Sequence, residues 1–186
     1  EEFLWAIGNE TMMPLVSKCF GERKPLGQSM HRKAMSLFRE YLIVGGMPQA
    51  VEEYSKTRNF EKVDAIKRDI LTLYRADIVK YSKGYERKVE GIFDEIPAQL
   101  QKHEKRFNLA SISKQARYRD YEDALFWLSD AMIVNICYNS TAPNVGLKLN
   151  MDRMTLKCYL ADTGLLVSHA FDENGIVSEG IYKKLL

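Results

Sequence analysis

Gly45-Gly46-Met47-Pro48 separates two predicted helices, and the bend it predicts determines how the first part of the chain folds. Apolar residues recur at helical spacing from Met30 to Val44, and glycine commonly ends such a helix. Proline suits the first turn of the next helix, because its φ angle is already helical. Two glycines beside a proline also let a ligand approach the backbone closely. The residues alone leave two alternatives open: a ligand-binding bend, or a helix–helix corner that needs no ligand.

The rest of the chain begins with its clearest helix, from Phe60 to Tyr81. The apolar side chains of this helix share one stripe, and its basic side chains, Lys67 among them, are predicted to face mostly away from it. Further along, the pattern indicates a helix, a short helix at 111–115, another helix, and two strands around a polar loop. That order is typical of a winged helix. The sequence therefore predicts a mainly α fold, in which a lid-like helical part precedes a winged-helix-like α+β part.

Composition restricts the function classes only weakly. The 186 residues are 46% hydrophobic and 28% charged, with a net charge of +2, so overall charge points to no class of partner. Three widely spaced cysteines form no metal-ligand pattern, and no Ser-His-Asp or Cys-His arrangement is recognisable. The chain has neither a signal peptide nor a run of about 18 apolar residues. We therefore predict a cytoplasmic protein with no catalytic residue and no metal site in this chain.

A basic segment precedes the second long helix of the winged-helix-like part. In a winged helix such residues contact phosphates, which makes this segment a candidate nucleic-acid-binding site. Alternatively, it is a solvated surface that pairs with acidic residues of another domain. The basic residues, against the single acidic Glu104, are Lys102, Lys105, Arg106, Lys114, Arg117 and Arg119.

One carboxylate stands at a point where the chain is predicted to turn. Asp162 follows the second strand and precedes Gly164. An acid in this position can bind a metal, but the turn chemistry of aspartate explains it more simply.

Several stretches, in this order, resemble the C-terminal half of a family of predicted bacterial and archaeal ATPases of the AAA+ superfamily. Members of that family carry an uncharacterised domain after the ATPase core. No single motif is strong, but the ordered set is fairly specific and spans nearly the whole chain. The matching stretches are Glu2–Ala6, Tyr41–Val51, Leu71–Lys80, Ile96–Leu100, Tyr121–Met132 and Leu156–Leu166.

The resemblance implies a parent protein that binds ATP and Mg²⁺ through a P-loop ATPase domain preceding Glu1 and missing here. No GxxxxGK[ST] or other phosphate loop occurs in this chain. Gly46-Met47-Pro48 resembles the Gly-x-Pro motif with which related signal-transduction ATPases place a proline against adenine. By this resemblance, Gly45, Gly46, Met47 and Pro48 are the expected nucleotide-binding residues.

The resemblance also extends into a region similar to PD-(D/E)XK nucleases, in which Glu179 matches the acid of the first helix. The strand carrying that region's metal-binding acids is missing, so no complete nuclease site is expected. The predicted domains are a lid-like helical segment at 1–57, a winged-helix-like domain at 58–170, and the first helix of a truncated nuclease-like region at 171–186.

The resemblance favours a regulatory part of an AAA+-type ATPase, with the P-loop domain as its partner, no membrane contact and no ATP hydrolysis by this chain alone. The proposed role of the parent is a switch in which bound ATP fixes the winged helix against the core. Two alternatives stay open: a winged-helix module that binds DNA, and a protein-interaction module without a ligand of its own.

Overall fold

The computed structural model describes residues 1–142, 145–172 and 179–185, apart from the side chains of Glu179, Lys183 and Leu185. The chain forms two compact units: residues 1–70 with 162–186 are the first, and residues 71–161 are the second. The predicted domain boundaries at residues 57 and 170 are a different kind of division from these compact units. They therefore stay a prediction. The nuclease-like assignment also stays a prediction, and the side chain of Glu179 lies outside the described residues.

The secondary-structure elements described in the first unit are all helices, joined by short turns and loops. Its helices come from both ends of the sequence, and α5 is shared with the second unit because the boundary falls within it. The helices are α1 (Glu2–Ala6), α2 (Met12–Gly21), α3 (Gln28–Val44), α4 (Pro48–Thr57), α5 (Phe60–Tyr81), α8 (Thr163–Ala170) and α9 (Glu179–Leu185).

A row of four buried aromatic rings forms the centre of the first unit. Phe3 stacks on Tyr54 with ring centroids 6.1 Å apart. Tyr54 lies 5.1 Å from Phe60, which in turn lies 5.7 Å from Tyr182. Burying rings of this size is among the largest apolar contributions a core receives. Because the rings belong to α1, α4, α5 and α9, the row joins the two sequence segments of the unit.

The second unit confirms the predicted winged-helix-like arrangement, so the fold class is mainly α with a small α+β part. The elements that follow the end of α5 are α6 (Glu86–Gln101), a 3₁₀ turn (Leu109–Ser111), α7 (Tyr118–Asp130), β1 (Val134–Ser140), a second 3₁₀ turn (Leu147–Asn150) and β2 (Met151–Leu160). Helices α6 and α7 pack on each other and on the strands, and buried apolar side chains lie on all four elements.

The two strands form an antiparallel hairpin with a bulge. Val134 is opposite Leu160, and Tyr138 is opposite Leu156, after which the register shifts at Asn139. The backbone N–H of Phe107 donates to the carbonyl of Leu156 at 2.8 Å, so the segment before α7 also bonds to β2.

One local prediction for the second unit was wrong: a short helix was expected at 111–115, but the described turn is 3₁₀ and ends at Ser111. The Asn108 side chain caps the start of this turn by accepting from the backbone N–H of Ala110. At Pro97 a kink or a restart of the helix was expected; α6 continues through Pro97 to Gln101 without a restart, and the kink stays a prediction. Within the described residues, none of the helices has both the length and the hydropathy needed to cross a bilayer.

Candidate functional site

The bend between α3 and α4 has the local geometry that its sequence predicts. Gly45 ends α3 with a φ angle of 85°, a backbone conformation that residues other than glycine rarely adopt. Met47 is extended, and Pro48 is the first residue of α4. The prediction that glycine ends one helix and proline begins the next is therefore confirmed.

Asp162 joins this bend to the start of α8. Its Oδ2 accepts a hydrogen bond from the backbone N–H of Gly46 at 2.6 Å, and its Oδ1 accepts one from Leu165 at 2.8 Å. The second bond makes Asp162 the N-cap of α8, where the sequence predicted a turn but no helix. A Cβ on Gly45 would lie 2.3 Å from Oδ1, so the contact with Asp162 demands glycine there whether or not a ligand binds.

Close packing of α8 on the end of α3 requires a further glycine. A Cβ on Gly164 would lie 2.3 Å from the carbonyl oxygen of Val44 and 2.6 Å from the nitrogen of Gly45. Both atoms belong to the backbone, which cannot rotate away as a side chain can. The backbones of the two helices therefore meet directly beside the bend.

Charged residues lie buried beneath the bend, where the sequence predicted none. Lys67 is only 1% exposed, and its Nζ donates to the carbonyl of Ile43 in the last turn of α3 at 2.8 Å. The prediction that Lys67 faces away from the apolar stripe was wrong. Leu73, expected in that stripe, is 63% exposed. Stepping from Phe60 by four and then three residues reaches Asp64 and Lys67, so both share the helix face of that buried ring.

Asp64 is the buried acceptor of this cluster. Its carboxylate accepts from Nε of Arg68 at 2.8 Å and from Oγ of Ser168 at 2.5 Å. Burial opposes the ionised form, but the hydrogen bonds from Arg68 and Ser168, the Tyr182 hydroxyl and the positive charge of Arg68 together outweigh it and hold the pKa of Asp64 below its usual value. Asp64, Lys67, Arg68, Asp162 and Ser168 are called the buried ionic cluster below.

Burial lowers the pKa of Lys67 to about 8, although the nearby carboxylates of Asp64 and Asp162 favour its charged form. Between pH 8 and the ordinary value of 10.5, the unfolded chain therefore binds more protons than the folded chain. Stability contributed by this group rises with pH across that window, by about 1 kcal/mol per pH unit.

Lys67→Met is expected to abolish the rise of stability with pH that Lys67 contributes. The measurement is urea unfolding followed by Trp5 fluorescence. The difference in the free energy of unfolding between the unaltered chain and Lys67→Met should increase from pH 8 to pH 10. Lys62→Met, an exposed position on the same helix, is the matched control and should leave the pH dependence unchanged. A constant difference between the unaltered chain and Lys67→Met would contradict the assignment.

An open cleft of about 650 Å³ lies beside the bend, between α1, the end of α3 and the start of α4. Its apolar lining includes Tyr41, the exposed ring of Pro48, and Trp5, which is 52% exposed. Glu1, Glu2 and Glu52 also line it, and no lysine or arginine does so among the described residues. The cleft therefore offers flat apolar surfaces and negative charge, but no described basic side chain to hold a phosphate.

The four expected nucleotide-binding residues do not lie together in this cleft. Gly46 and Pro48 line it. Gly45 is buried against Asp162, and Met47 packs against the core of the first unit. No observation tests whether any of the four binds a nucleotide.

The six basic residues predicted to contact nucleic acid are all exposed, as a phosphate-binding role requires. Lys102 and Arg106 line a hollow of about 450 Å³ beside β2. Lys114, Arg117 and Arg119 line another hollow, of about 740 Å³, before and at the start of α7. Lys105 donates to the carbonyl of Leu100 at 2.8 Å.

The exposed face of α7, the helix that a winged helix usually presents to DNA, is mainly acidic. Asp120, Glu122, Asp123 and Asp130 are all exposed on it. Arg119 lies 3.7 Å from the carboxylate of Asp120 and so offsets part of this charge. Acidic side chains repel phosphates, so this face does not favour insertion into a DNA groove. DNA binding stays an untested prediction.

One family model matches residues 35–174 of the chain, and the family is described as a domain of unknown function (DUF8612). Comparison with curated proteins and with solved structures found no match. The matched residues include the bend, Asp64, Lys67 and Asp162, whereas Trp5 and α9 lie outside them.

Proposed function

This chain belongs to the family described as a domain of unknown function (DUF8612), and we propose, from the sequence resemblance and the cleft beside the bend, that it is a nucleotide-sensing regulatory part of an AAA+-type ATPase. In this proposal the cleft beside the bend receives the adenine base of bound ATP. The winged-helix-like part is the switch that bound ATP fixes against the ATPase core. The proposed compartment is the cytoplasm.

The lining of the cleft supports this proposal most directly. The exposed ring of Pro48 lies in one cleft with the aromatic rings of Tyr41 and Trp5. Flat apolar surfaces of this kind suit a purine base, which gains from stacking and from the exclusion of water. A volume of about 650 Å³ lies within the range of small-molecule sites.

The charges of the cleft support a shared nucleotide site, in which this chain contacts the base and another domain binds the phosphates. Glu2 and Glu52 line the cleft without a lysine or arginine among its described residues, so a triphosphate there would be repelled. We propose that a P-loop ATPase domain outside this chain holds the phosphates and Mg²⁺. On this basis the chain alone does not hydrolyse ATP.

Adenosine titration tests the proposal. In a Trp127→Phe background Trp5 is the only tryptophan, so quenching of its fluorescence reports the cleft. We expect adenosine to quench it, and Pro48→Ala to weaken binding by about three- to tenfold through loss of the stacked ring. ATP should bind less tightly than adenosine at low salt. Added salt should reduce this difference in affinity, because it screens the repulsion between the cleft carboxylates and the phosphates.

Pro14→Ala is the matched control. Pro14 is an exposed proline in α2 that does not line the cleft, so its loss should leave adenosine affinity unchanged. Absence of quenching by adenosine, or equal affinities of Pro48→Ala and the unaltered chain with both folded, would overturn the proposed base contact.

A further inference from the structure

The bend carries a contact that reaches beyond helix capping. A single carboxylate, that of Asp162, accepts the backbone N–H of Gly46 at 2.6 Å and that of Leu165 at 2.8 Å. Asp162 is buried, and hydrogen bonds to an ionised acceptor are stronger than those between neutral groups. Gly46 lines the cleft two residues before Pro48, so the bond acts on the wall of the cleft itself.

A second buried charge holds the other side of the bend. Nζ of Lys67 donates to the carbonyl of Ile43 at 2.8 Å, which fixes the last turn of α3. The bend is thus held before Gly45 by a cation and after it by an anion. Val44 and Gly45 lie between these two bonds, and Gly46 donates the second. The backbone of glycine is the least restricted of any residue.

We propose that Asp162 is a positioning residue for the adenine-binding cleft, an inference that rests on the proposed function. Without the bond to Gly46, the two glycines sample further backbone conformations, and Pro48 spends less time where it can contact the base. Apparent affinity falls in proportion to the fraction of chains in the competent conformation. Asp162 therefore sets nucleotide affinity without touching the nucleotide.

Asp162→Asn separates this role from capping. The asparagine carbonyl still accepts from Leu165, since asparagine caps helices as well as aspartate does. Its amide group, however, places a donor where the N–H of Gly46 needs an acceptor. We expect adenosine affinity, measured by Trp5 quenching in the Trp127→Phe background, to fall about tenfold.

Ser168→Ala is the matched control for a general loosening of α8. It removes the hydrogen bond from Ser168 to Asp64 and leaves the Asp162–Gly46 contact in place. It should lower the melting temperature without changing adenosine affinity. The amide proton of Gly46, observed by NMR, should shift upfield and exchange faster in Asp162→Asn but not in Ser168→Ala.

The possible outcomes have different meanings. Equal adenosine affinity of Asp162→Asn and the unaltered chain overturns the positioning role while the proposed function stands. An equal loss of affinity in Ser168→Ala also overturns it, because the effect is then one of general stability. If the unaltered chain does not bind adenosine, the proposed function fails. A shifted Gly46 amide in Asp162→Asn would then show that the contact exists but serves no adenosine site.

Discussion

Gly164→Ala is expected to destabilise the first unit by about 3 kcal/mol, at the upper end of overpacking effects. In an ordinary helix this change is favourable by about 1 kcal/mol, because alanine is the better helix former. Here the added Cβ would lie 2.3 Å from the carbonyl oxygen and 2.5 Å from the carbonyl carbon of Val44. Relief requires α8 to move away from α3, which would also strain the contact between Asp162 and Gly46.

Urea unfolding followed by Trp5 fluorescence, in the Trp127→Phe background, measures this loss. Gly21→Ala is the matched control, since Gly21 is also helical and a Cβ there would meet no atom within 4 Å. The control should be neutral or stabilising by up to about 1 kcal/mol. A loss below about 1 kcal/mol for Gly164→Ala would mean that α8 does not approach α3 this closely.

Asp64→Ala is the second variant with a large expected effect. It should lower the free energy of unfolding by about 3–5 kcal/mol. Among the described residues, the change leaves Asp162 as the carboxylate that still favours the charge of buried Lys67. It also removes the acceptor of the Nε of Arg68 and of the Ser168 hydroxyl. A buried cation deprived of its partner costs more than the pair contributes, because its desolvation is no longer offset. Thermal and urea unfolding of the whole chain measure the loss.

The pH dependence gives the Asp64 prediction a distinctive sign. Because the folded pKa of Asp64 lies below its usual value of 3.8, its stabilisation is present above that value and is lost as pH falls through the folded pKa. The difference between the unaltered chain and Asp64→Ala should therefore shrink in strong acid. Asp69→Ala, an exposed position on the same helix, should stay within about 0.5 kcal/mol of the unaltered chain. An equal effect of the two variants would contradict the role of the buried ionic cluster.

Sequence reasoning succeeded where the cause is local. Gly45 ends α3 and Pro48 begins α4, as their backbone preferences require. The order of helices and strands in the second unit also followed from periodicity and β-branched runs. Each of these features depends on residues no more than a few positions apart.

The same reasoning failed where distant segments meet. The burial of Lys67 depends on α3 and α9 covering that part of α5, since its Nζ bonds to Ile43 and lies 5.6 Å from the ring centroid of Tyr182. The apolar stripe predicted for α5 placed Lys67 on the solvated side of the helix. Helical periodicity does not reveal which other segments of the chain will cover a face of that helix.

The sequence by itself determined the bend, its glycine and its proline, because φ preferences and capping act within one helical turn. Only the tertiary structure decided what the bend contacts. It brought Asp162 within 2.6 Å of Gly46, 116 positions earlier in the chain, and placed Ser168 against Asp64, 104 positions earlier. Such contacts form because α8 packs on α3 and α5, and burial then demands a partner for every charge it encloses.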